Sequence, residues 1–153
     1  MLGSRLPFSV RALGLAAGLA AVALTGGRAS ASIEEIDYAT YDVRITDSKG
    51  VVTEATDFGY YTGPNILYAH RGDGDVDVPY RLIRSMEIGA FVPDTRRAPC
   101  TLTLKTGKVI ALELDNIEAQ RLLGGRTEFG DYRIRMEKVR RLEILHMTHS
   151  GPS

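Results

Sequence analysis

Two stretches of this chain echo each other, and the echo limits what the chain can fold into. Residues 76–88 read VDVPYRLIRSMEI and residues 132–144 read YRIRMEKVRRLEI. At a constant offset of 56, Val78 falls on Ile134, Ile83 on Val139, Met86 on Leu142, Glu87 on Glu143 and Ile88 on Ile144. Each copy alternates apolar and polar residues, takes a step of three, then alternates again. A period of two marks a half-buried strand, and the step reads as a tight turn between two strands. The expectation is one all-β domain, a small antiparallel β-sandwich or partly open β-barrel with one short helix. The two copies would be its pillars.

Residues 1–31 are expected to stay outside that domain. Arg5 and Arg11 give a positive start, an uncharged Ala/Leu/Gly run follows, and Ala29-Ser30-Ala31 supplies the small residues of a cleavage site. This pattern is a secretory signal peptide cut after Ala31, as in a periplasmic or secreted bacterial protein. The apolar run is short of the ~20 residues that span a bilayer, so no stable membrane insertion is expected after cleavage. The chain carries 19 basic and 19 acidic residues, and the leader takes Arg5, Arg11 and Arg28 with it. The mature chain, residues 32–153, is then net acidic by three charges, which does not favour nucleic acid as a partner. Cys100 is the only cysteine, so it either packs as a small hydrophobe or pairs with another chain.

Along the mature chain, residues 38–46 alternate as a first strand, expected at a sheet edge, and residues 51–58 return from the turn Asp47-Ser48-Lys49-Gly50. Residues 59–65 form a loop rich in aromatics. Residues 66–70 read as a strand, and residues 71–77 as a solvated turn. Pro79, without an N–H, belongs at a strand end. Residues 92–99 read as a mobile basic connection. Residues 101–114 make the clearest hairpin, reversing at Thr106-Gly107. Residues 116–123 are the one credible helix, capped by Asp115 or Asn116 and stopped by Gly124-Gly125. The glycine-turned strands loosely resemble those of the small barrels in ring-forming RNA-binding proteins. The expected export and the lack of an RNA-binding loop keep that function from being carried over.

Three functional readings follow. The favoured one is an exported non-catalytic module of the cell envelope that binds another protein, or a second copy of itself, or supports an assembly. Its motivation is the leader and the lack of a recognisable triad, nucleotide loop or nucleophile elbow. The second is a glycan or small-ligand module, in which Tyr60, Tyr61, Tyr80 and Tyr132 line a groove beside Arg133 and Arg135. The third is a metal-binding protein. Asp73, Asp75 and Asp77 have the spacing of oxygen ligands for calcium, but Val78 and Arg84 stand where a calcium loop has Gly and Glu. His70, His146 and His149 offer imidazoles for a transition metal. No cofactor is expected.

Overall fold

The structure, a computed structural model, describes residues 37–149. The leader with its cut after Ala31, the lead-in at residues 32–36 and the tail at residues 150–153 lie outside the described residues. Within them the chain forms β1 (Thr40–Asp47), β2 (Val52–Tyr60), β3 (Ile66–Arg71), β4 (Gly74–Pro79), β5 (Ile83–Ile88), β6 (Arg97–Leu104), β7 (Val109–Asp115), α1 (Asn116–Gln120), β8 (Leu122–Thr127), β9 (Gly130–Arg135) and β10 (Val139–His149). Single 3-10 turns, Tyr80–Leu82 and Met136–Lys138, separate β4 from β5 and β9 from β10. The strands form one sheet in the order β4-β3-β7-β6-β5-β10-β1-β2-β8-β9. This is the all-β architecture with one short helix, an open and mostly antiparallel sheet rather than a tight barrel. Inward side chains from both ends of the sheet share a single apolar cluster. A sheet this wide must bend over itself to bury one face in that way.

The echo seen in the sequence extends over the whole described fold. The run β1-β2-β3-β4-turn-β5 is repeated as β6-β7-β8-β9-turn-β10. Core positions coincide: Leu67 with Leu123, Val78 with Ile134, Tyr80 with Met136, Ile83 with Val139, and Met86 with Leu142 are all buried pairs. Gly50 and Gly107 make equivalent hairpin turns at φ 81° and 86°, a conformation that costs glycine no Cβ clash.

The strand order reads the same from either end once the copies are matched. Equivalent strands β5 and β10 meet at its centre, with Leu142 opposite Met86. The first hairpin of each copy is exchanged. β2 pairs with β8 of the second copy, and β7 pairs with β3 of the first. Neither copy therefore has a complete sheet of its own.

Several expectations are corrected. β1 is not an edge strand but lies between β10 and β2, because the C-terminal strand closes over it. Residues 74–79 form a strand and not a solvated turn, so Asp75 and Asp77 project from an extended backbone. The helix ends at Gln120, and Leu122, Leu123, Gly124 and Gly125 belong to β8. Ile117 is 78% exposed, whereas Glu118 and Ala119 are buried. Pairing of β8 with both β2 and β9 outweighs the weak propensity of so short a helix. Arg97, assigned to the basic connection, begins β6 and meets Glu113 at 2.6 Å. The expected cap is present, with the Asp115 carboxylate accepting from the Glu118 N–H at 2.8 Å. Pro79 ends β4, and Cys100 is buried, which pushes its thiol up to about 12.

Candidate functional site

The two copies differ at one place, and a cleft forms there. Strands β1 and β6, and the turns that follow them, are equivalent at an offset of 57, whereas everything from β3 and β8 onward is equivalent at 56. The first copy thus holds one extra residue in β2. Buried Ala55 matches Leu112 and buried Phe58 matches Leu114, which places the addition between Ala55 and Phe58. Asp57 has φ 50° there, and the β2–β8 register slips between Thr56 and Gly59. This is a β-bulge, which bends the strand and breaks the ladder locally. After β7 the second copy turns into α1, while the first runs on through Tyr60 and Tyr61 into an open loop.

The cleft at this bulge has a volume of about 440 Å³. Tyr38, Tyr61 and Tyr132 supply rings, and Asp57, Arg126, Asp131 and Arg133 supply charge. Gly59, Gly63, Gly124 and Gly125 also line it, so backbone is open to an incoming group. Tyr61 is 58% exposed and rests on Gly124, where an added Cβ would lie 3.4 Å from the ring. The Arg133 guanidinium lies 4.8 Å from the centre of the Tyr61 ring, which holds the ring by a cation–π contact.

The loop behind the cleft is held by buried polar groups. The Asn65 side chain accepts from the Tyr60 N–H at 2.6 Å and donates to the Ala39 carbonyl at 2.5 Å. Buried Asp37 accepts from Tyr41 Oη at 2.7 Å and from the N–H groups of Ala39 and Arg81 at 3.1 and 3.0 Å. On the other flank, the Arg121 guanidinium stacks 3.3 Å from the Tyr60 ring centre. It donates to the carbonyls of Ile66 at 3.0 Å and Pro64 at 3.2 Å, and to buried Glu118 at 3.1 Å. Tyr60 Oη also donates to Glu118. Burial raises the Glu118 carboxyl above its ordinary value, while the Tyr60 hydrogen bond and the Arg121 charge pull it down. Gly59→Ala tests the packing of this loop, because a Cβ there would fall 2.6 Å from the Asn65 amide. It is expected to destabilise the fold by about 1–3 kcal/mol, measured as a lower denaturant midpoint.

The expected tyrosine groove is reached by only part of the expected set. Tyr61 and Tyr132 line the cleft with Arg133, and Tyr60 touches it from a mostly buried position. Tyr80 is fully buried, its ring 6.2 Å from Tyr41 and 5.3 Å from Tyr60. Arg135 is exposed on the edge strand and does not line the cleft. Tyr38, Asp57, Arg126 and Asp131 were not singled out from the sequence. The change of offset from 57 to 56 was the signal that could have located Asp57.

The residues considered for metal binding are spread out. His70 lies between Asp75 at 2.8 Å and Asp115 at 3.5 Å, and His146 meets Asp42 at 2.5 Å. Asp73 lies at the β3–β4 turn, Asp77 projects from β4, and the backbone of His149 pairs opposite Thr40. Among the described residues no three His, Cys, Asp or Glu side chains come together as a metal site. Nor is any described helix long and apolar enough to cross a membrane. No protein-family model matches the chain, and no curated protein is significantly similar to it.

Proposed function

We propose that this protein is an exported binding module of the cell envelope that holds a polar, uncharged ligand, a short glycan segment, in the Tyr38–Tyr61–Tyr132 cleft. The observation that carries the reading is the convergence of three rings and two opposite pairs of charges on one glycine-lined cleft. A sugar ring has an apolar C–H face that packs on tyrosine, and hydroxyls that need both donors and acceptors. Asp57 and Asp131 accept from hydroxyls, and Arg126 and Arg133 donate to them. The balance of two cations and two carboxylates favours a neutral ligand over an anion or a cation. The volume falls in the range of roughly 300–1,000 Å³ usual for small-ligand sites. Export rests on the leader sequence, and the proposed role is binding, with no chemistry on the ligand.

Calorimetric titration with neutral envelope oligosaccharides tests this. Saturable binding is expected, and Tyr61→Ala should weaken it by about tenfold or more, one lost stacking ring being worth at least ~1.4 kcal/mol. Tyr61 is exposed, so the variant should keep the parent's unfolding midpoint. A folded protein that binds none of these sugars would end the glycan reading. Release of new reducing ends would instead make Asp57 and Asp131 candidates for a hydrolytic pair.

The reading of a protein-binding or assembly module is favoured by a different observation, the two unpaired edges of the sheet.

A further inference from the structure

The sheet ends in β4 on one side and β9 on the other, and each is paired along only one edge. These strands are equivalent in the two copies, each six residues long, yet β4 carries only carboxylates on its outer face and β9 carries two guanidiniums beside one carboxylate. β4 exposes Asp75 and Asp77, and β9 exposes Asp131, Arg133 and Arg135. Neither Asp77 nor Arg135 has a hydrogen-bond or ion-pair partner among the described residues. Asp75 also meets His70 at 2.8 Å, and Arg133 covers Tyr61. We propose that β4 of one copy pairs antiparallel with β9 of another, so that the protein assembles head to tail into a continuous sheet.

One register satisfies both faces. With Asp75 opposite Arg135, Asp77 falls opposite Arg133 on the outer face. The same register puts Val76 opposite Ile134 and Val78 opposite Tyr132 on the inner face, which extends the apolar side of the sheet. Opposite charges directly across a strand pair are favourable, and like charges are not. Pairing β4 with β4 in the corresponding register would bring Asp75 against Asp77, and β9 with β9 would bring Arg133 against Arg135. A β9–β9 pair shifted to set Asp131 against Arg133 would leave each Arg135 without a carboxylate and put Ile134 opposite Gly130. The heterologous contact, which pairs two carboxylates with two guanidiniums, is therefore favoured and adds copies in one direction. Pro79, lacking an N–H, falls at the end of the paired segment, where it interrupts least. Charges on an edge ordinarily keep copies apart. Here Asp75 and Asp77 of one edge complement Arg135 and Arg133 of the other, and Asp131 falls opposite Pro79.

Sedimentation velocity of the intact protein across a concentration series, at low and high salt, tests the proposal. The mean mass should rise with concentration at low salt and fall toward the monomer at high salt. Asp75→Arg/Asp77→Arg and Arg133→Asp/Arg135→Asp should each weaken association by at least about tenfold. Mixing the two variants should restore assembly, since the β4 of each then meets an oppositely charged β9 of the other. Restoration also shows that both variants are folded. A parent that stays monomeric at low salt overturns the proposal, as does an assembly that stops at two copies or survives either reversal.

Discussion

Arg121→Ala is expected to lower the stability of the fold by roughly 3–5 kcal/mol, the usual cost of stranding a buried charge. Glu118 is 2% exposed, and Arg121 is its one cationic partner among the described residues. The same guanidinium also satisfies the carbonyls of Pro64 and Ile66 and covers the Tyr60 ring. Its loss would free the loop that carries Tyr61, so ligand binding should weaken along with stability. The effect has a definite pH dependence. The folded state holds the Glu118 proton more tightly than the unfolded chain does. The stability contributed by this group is fully present below the unfolded carboxyl value and is lost as pH rises through the higher folded value. Removing Arg121 takes away a charge that lowers the folded value, so that value moves further up. The deficit of the alanine variant should therefore shrink as the pH is brought down toward 4.5, the ordinary value for this group. Chemical unfolding of parent and variant at several pH values measures it. A deficit that does not change with pH would show that Glu118 is not the stranded charge.

Leu142→Ala is expected to cost about 2–5 kcal/mol, from lost apolar transfer and the cavity left behind. Leu142 is fully buried at the centre of the sheet, on β10 opposite Met86 of β5. These are matching positions of the two copies, so Met86→Ala should fall in the same range. The unfolding transition should stay single in both variants. The exchanged hairpins leave neither copy able to unfold alone, and one apolar cluster spans them. Two separated transitions, or a cost below about 1 kcal/mol at either position, would contradict this account of the core.

Much of the architecture was legible because it depends on periods that a sequence displays directly. Alternation located the strands, and the step of three located the 3-10 turns at Tyr80 and Met136. The inward residues of both echoing stretches, Val78, Ile83, Met86 and Ile88 with their partners, are all buried. The helix was misjudged at its far end because Leu122 and Leu123 suit a helix and a strand alike, and only the neighbours of β8 decide between them. Part of the cleft was legible as a cluster of tyrosines. Tyr80 was misassigned to it because side-chain type does not say which face of a turn it occupies. Tyr38 and Arg126 were missed because they lie far apart in the chain and meet only through the β1–β2–β8 pairing.

The sequence alone determined that this chain builds a repeated, antiparallel, mostly half-buried sheet, since hydrophobic periodicity is a local property that survives any choice of partners. The tertiary structure decided which hairpin pairs with which copy, where the sheet ends, and that the extra residue at Asp57 lies beside a cleft lined by residues of both copies. Those outcomes depend on long-range strand pairing. The apolar pattern of β2 suits β3 as well as β8, and only the joint burial of both copies in a single core selects between them.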